Sequence, residues 1–76
     1  MNIQDFISKI EAEYEDLKPG ILKPGSLFRE AFEWNSINAL ILIAMVKVEY
    51  NVTINAEDIA TSKTVEDLYR IIENRV

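Results

Sequence analysis

The chain has 76 residues, no cysteine and no histidine, and its 13 acidic against 8 basic side chains leave a net charge of −5. This length holds one domain, residues 1–76, and a domain of this size buries only about 60% of the surface its unfolded chain exposes. The missing residue types exclude disulfide staples, thiolate nucleophiles, zinc fingers and histidine bases, and the acidic balance argues against nucleic acid, whose phosphates need clustered Lys and Arg. The 49% hydrophobic content is too high for a disordered acidic tail. The longest apolar run, residues 39–46, has eight residues, against about 20 for a membrane span. The opening MNIQDFISKIEAEYE is acidic and lacks the unbroken apolar core of a secretory signal, so a soluble, cytoplasmic setting is expected.

Charge is unevenly placed. Residues 1–17 carry a net of −4, residues 18–34 a net of +1, residues 35–54 zero and residues 55–76 a net of −2. An electrically bare, apolar segment therefore sits between acidic ends. The first segment reads as an amphipathic helix, because Ile3, Phe6, Ile7, Ile10, Tyr14 and Leu17 recur at helical spacing with the acids on the other face. Asn2 is its expected N-cap and Lys18-Pro19-Gly20 its stop. The stretch KPGILKPGS holds both prolines and both glycines of the chain and reads as a loop. One helical turn is expected in it, with Ser26 capping Leu27, Phe28, Arg29 and Glu30, and with Leu22, Leu27 and Phe28 anchoring it to a core.

The next segment is ambiguous. Residues 39–46 are apolar throughout, and from Val46 to Ile54 apolar and polar residues alternate, which alone predicts a strand. No second run of that kind exists to pair with it. A helix over residues 37–49, followed by an extended stretch at 51–54, fits the whole chain better. Two capping boxes follow. Asn55-Ala56-Glu57-Asp58 opens a short helix that buries Ile59, and Thr64-Val65-Glu66-Asp67 opens a last helix with Val65, Leu68, Tyr69 and Ile72 on one face. The expected fold is all-α: a small four-helix bundle, three main helices plus one short helix, with a long loop between helices 1 and 2.

Chemistry of the chain's own is sparse. Pairs such as Glu13 and Asp16, or Glu66 and Asp67, fall on faces expected to be solvated, whereas a catalytic pair needs one desolvated carboxyl group with a raised pKa. No glycine-rich phosphate loop is present. Neither an enzyme nor a metal site is expected. The informative spot is Glu33-Trp34-Asn35-Ser36-Ile37. The chain's only Trp precedes a helix start, and Ser36 lies at that start, where free N–H groups and the positive end of the dipole favour a phosphate. On local pattern alone, Asn35 and Ser36 serve equally well as plain caps, with Trp34 packed at the helix entry.

The segment LKPGSLFREAFEWNSINALILIAMVKVEY and the following NVTINAEDIATSKTVEDLYRII resemble an acyl carrier protein, over about the whole chain. In that family a long loop with a buried Phe follows the first helix. An Asp-Ser-Leu-type motif opens the second helix and an aromatic residue ends it. A short third helix follows, and Thr opens the last. Phe28, Asn35-Ser36-Ile37, Tyr50, residues 56–59 and Thr64-Val65-Glu66-Asp67-Leu68 take those places. The resemblance implies that Ser36, flanked by Asn35 and Ile37, is the serine that a phosphopantetheinyl transferase modifies with 4'-phosphopantetheine. It further implies that acyl or aminoacyl groups ride on the arm as thioesters, presented to acyl-processing or acyl-activating enzymes such as those of fatty acid biosynthesis. A growing chain is then expected to fold back between the second and third helices, against Leu42, Val46, Ile54 and Ile59.

Two departures from the family matter. Asn35 stands where the family usually has Asp, which leaves open a carrier-fold interaction module that is poorly modified or unmodified. The helix after Ser36 also lacks the acids that the family uses for docking. At about 100° per residue that helix carries two apolar stripes, Ala39, Leu42, Ile43, Val46 and Tyr50, and Ile37, Leu40, Ile41, Ala44 and Val48. Tyr50, matching the family's buried aromatic, assigns the first stripe to the core. The second then faces outward, unless Ile37 and Leu40 pack beneath the loop. Partners are expected to dock on Ile37, Ile41, Ala44, Lys47 and Val48 mainly by apolar contact, or the protein to self-associate weakly through this face. Replacing Asn35 with Asp adds a negative charge at a helix N-terminus. Modification by a typical transferase should quicken and thermal unfolding should show about 0.3–1 kcal/mol more stability; an equal or slower rate, measured by mass spectrometry over time, contradicts this.

Overall fold

Asn2 opens α1 (Ile3–Glu13), its side-chain oxygen accepting the Asp5 N–H at 2.8 Å. The computed structural model describes residues 2–31 and 33–76. Phe6, Ile7 and Ile10 are buried along one face of α1, as the spacing predicts. The helix stops four residues short of Leu17, the last residue of the expected face. Tyr14 is already extended, at φ −114° and ψ 115°, because Glu13, Glu15 and Asp16 crowd the negative end of the helix dipole and the last turn holds no base to offset them. A turn closed by the Leu17 N–H on the Tyr14 carbonyl returns Leu17 to the core all the same.

Gly20 has φ +85°, a conformation that L side chains rarely adopt. This turn is held by the Glu11 carboxylate, which accepts the N–H groups of Gly20 and Leu22 at 3.1 and 3.0 Å. The expected turn in the loop is α2 (Phe28–Ala31), and its capping differs from expectation. The Ser26 hydroxyl accepts the Lys23 N–H instead, and the Leu27 carbonyl accepts the N–H groups of Glu30 and Ala31. Leu22 and Phe28 anchor the loop, at 3% exposure each, whereas Leu27 remains 45% exposed. Leu27 is drawn aside by an isolated bridge to Thr64, while the carbonyls of Pro24 and Ser26 accept the first N–H groups of α5 from Glu66 and Val65.

The ambiguous segment is helical: α3 spans Ser36–Tyr50. Asn51 ends it in the left-handed region, φ 57° and ψ 36°, and donates its N–H to the Lys47 carbonyl. Asn tolerates this conformation, so the extended stretch expected at 51–54 does not include Asn51. Val52 and Ile54 beyond it are buried. Both capping boxes form, opening α4 (Ala56–Ala60) and α5 (Val65–Arg75). The all-α bundle of three main helices is therefore observed, with α2 and α4 as short helices and no strand among the described residues.

The core takes the first stripe of α3. Leu42 and Val46 are 2% and 0% exposed, and Ala39, Ile43 and Tyr50 pack against them half-buried. Met45, in neither stripe, is buried too. Ile37 and Leu40 do not pack beneath the loop; they are 68% and 64% exposed.

Asp58 and Asp67 hold the two later helices. Hydrogen bonds from Arg75 first, and from the Asn55 N–H next, keep the Asp58 carboxyl below its ordinary value of 3.8. The N–H groups of Thr64 and Lys63 do the same for Asp67. A carboxyl depressed by folding stabilises above its unfolded pKa, and that stabilisation is lost as pH falls through the lower folded value. The melting temperature should therefore drop steeply below about pH 4. The double variant Asp58→Asn, Asp67→Asn should start lower at neutral pH and lose less on acidification; an equally steep acid limb in the variant contradicts the assignment.

Candidate functional site

The α2–α3 junction is built from aromatic packing and one cap. The Phe28 and Trp34 rings meet edge to face, with centroids 5.3 Å apart. The Arg29 guanidinium lies 4.8 Å from the Phe28 centroid and 6.0 Å from that of Trp34. Asn35 then caps α3, its side-chain oxygen accepting the Asn38 N–H at 2.8 Å and its carbonyl accepting the Ala39 N–H at 2.9 Å. The Asn38 side chain donates back to the Glu33 carbonyl. From the other side, the Tyr14 hydroxyl donates to the Asn38 carbonyl at 2.6 Å. The first turn of α3 is thus fixed from the loop before it and from the end of α1.

These contacts leave Ser36 as the first residue of α3, exposed, with no hydrogen bond to its hydroxyl from the described residues. With Asn38 and Ala39 served by Asn35, the N–H groups of Ser36 and Ile37 are the ones left at the positive end of a 15-residue helix. The other serines are placed differently. Ser8 lies within α1, Ser26 is half-buried and holds the Lys23 N–H, and Ser62 is 1% exposed and donates to the Asp58 carbonyl. An exposed hydroxyl beside two unpaired backbone donors fits a phosphate ester, the linkage by which a 4'-phosphopantetheine arm is attached.

Of the residues expected to meet partners, Ala44, Lys47 and Val48 are exposed, Val48 at 82%. Ile41 is half-buried, in a groove with Glu13, Ala44, Met45, Val48 and Glu49. A second concavity shares Glu13 and Ile41 and adds Glu15, Asp16 and Asn38. The outer face of α3 is therefore apolar, with acids along one flank. Those acids come from the end of α1, where the sequence shows only a solvated face; it is the early exit from α1 that brings them here.

On the other side of α3 a cleft of about 260 Å³ is lined by Arg29, Trp34, Ala39, Ala56, Ile59 and Ala60. Ala39 lies one turn beyond Ser36, so the cleft opens close to it. Of the four residues expected to receive a growing chain, Ile59 lines this cleft, while Leu42, Val46 and Ile54 lie in the closed core. Arg29, not singled out from the sequence, also lines it. Its partners lie 30 and 33 residues away, and no local pattern announces such contacts.

No curated protein and no solved structure matches the chain significantly. A family model does: that of the phosphopantetheine attachment site matches residues 5–72, which take in most of α1 and of α5 and everything between them, the α3 N-terminus included. The chain belongs to the phosphopantetheine attachment site family, whose members carry 4'-phosphopantetheine covalently on a serine.

Proposed function

We propose that Ser36 is the attachment residue and that the chain is an acyl carrier, a non-catalytic protein that delivers thioester-bound acyl groups to partner enzymes. The observation that supports this reading best is the exposed Ser36 hydroxyl at the capped start of α3. When bound, the arm supplies the thiol that a chain without cysteine lacks. Asn35 holds the first turn so that Ser36 projects outward, and the free N–H groups of Ser36 and Ile37 favour the phosphate beside it. Nothing near Ser36 serves as a base, so its activation falls to the phosphopantetheinyl transferase.

Acyl rather than aminoacyl cargo is supported by the cleft beside Ser36. Its lining is apolar apart from the Arg29 cation and includes no carboxylate to pair with an ammonium group. Docking is assigned to the outer face of α3, with Ile37, Ile41, Ala44, Lys47 and Val48 in contact. The apolar surface supplies affinity there, and Glu13, Glu15 and Asp16 steer basic partners. Asn35 favours a second reading, an interaction module that is not modified.

Intact mass separates the two. Treatment with coenzyme A and a broad-specificity transferase should add one phosphopantetheine to the wild type and none to Ser36→Ala. Because the exposed Ser36 hydroxyl makes no hydrogen bond among the described residues, that variant should unfold within about 0.5 kcal/mol of wild type. A wild type that stays unmodified supports the second reading. An arm gained by the Ala variant moves the site elsewhere.

The docking face has its own check. Ala44→Glu with Val48→Glu, both at exposed positions of this stripe, should weaken partner binding or self-association by about tenfold or more, since apolar interface centres carry most of the energy. The melting temperature should change little. A large fall in melting temperature with unchanged binding would place this stripe in the core.

A further inference from the structure

The helix that closes the cleft is short and is gripped at both ends by arginines from elsewhere in the chain. At its start, Arg75 of α5 makes a two-point pair with Asp58, at 2.6 and 2.9 Å, and donates to the Thr53 carbonyl at 3.1 Å. At its other end, Arg29 of α2 donates to the Ser62 carbonyl at 2.6 Å and to the Ile59 carbonyl. Those carbonyls belong to the last turn of α4 and the residues just after it, at the negative end of the helix where a cation is favoured; the Ile59 carbonyl also accepts the Ser62 N–H at 3.1 Å. Arg29 is half-buried, and no carboxylate pairs with it among the described residues. Its charge is spent on these carbonyls and on the Phe28 and Trp34 rings. The same side chain lines the cleft together with Ile59 and Ala60 of α4. One residue therefore both walls the cleft and holds its α4 side in place.

We propose that Arg29 is a positioning residue that sets the cargo the cleft accepts, by latching the end of α4 against α2. With the latch closed, the open cleft of about 260 Å³ seats a medium-length acyl chain. With the latch released, α4 swings about its Asp58–Arg75 anchor and admits a longer chain. The cargo half of this inference rests on Ser36 as the attachment residue; the latch itself does not.

The test has two arms. In the unmodified protein, Arg29→Met should speed amide hydrogen exchange at residues 59–62 on the order of tenfold, through lost hydrogen bonds at one local unit, and leave α1 and α5 unchanged. Arg29→Lys, which keeps the charge without the two-pronged donor, should fall between. In the second arm, each protein is loaded with acetyl, octanoyl or dodecanoyl arms from the corresponding acyl-coenzyme A, and thioester hydrolysis is followed by mass. Wild type should protect octanoyl about threefold over acetyl and dodecanoyl no better than octanoyl, and the Met variant should protect dodecanoyl better than octanoyl. Unchanged exchange at residues 59–62, faster exchange spread equally over α1 and α5, or the same chain-length profile in all three proteins overturns the proposal. Failure of every protein to take up an arm would instead count against Ser36, with the exchange arm still deciding whether Arg29 holds α4.

Discussion

The structure turns on a helix with more apolar surface than its surroundings can cover. Between Ile37 and Val48, α3 carries apolar residues on nearly every side, and a 76-residue chain has too little mass to enclose one of its own helices. One side must face water. α1, α5 and the segment through Val52 and Ile54 cover the side of Leu42 and Val46, and Ile37, Leu40, Ala44 and Val48 are left outside. The fold is therefore arranged around the choice of which stripe is buried.

That choice also places Ser36. It sits at the rim between the two faces, where the chain enters α3, and the entry is fixed more firmly than a loop end needs to be. Asn35 caps the turn, Tyr14 reaches across from α1 to the Asn38 carbonyl, and the Phe28–Trp34 pair packs before it. On the proposed reading of Ser36 as the attachment residue, such an anchored position serves presentation to partner enzymes better than a mobile loop would. On the other side of α3, the five-residue α4 is held by arginines at its two ends.

Much of this was legible in the sequence, and the reason is local. Capping boxes at Asn55 and Thr64, the 3.6-residue spacing in the first and last helices, and the loop marked by two Pro-Gly pairs all declare themselves within a few residues. The chain's resemblance to carrier proteins pointed to Ser36, which lies exposed at the start of α3. What stayed hidden was set by distant contacts or by charge summed over a turn. The early end of α1 reflects acids gathered at a dipole terminus, and it moves Glu15 and Asp16 from a helix face to the flank of α3. Leu27 looks like a core anchor until its bridge to Thr64 turns it outward. Arg29 gave no signal, because its carbonyl partners belong to another helix.

The attachment residue can be read most directly by locating the arm on the chain. Cleavage after Arg29 and Lys47 releases residues 30–47, in which Ser36 is the only Ser or Thr. After treatment with transferase and coenzyme A, the account predicts that the phosphopantetheine mass appears on this fragment alone. The same mass on a fragment holding Ser8, Ser26 or Ser62 would contradict it.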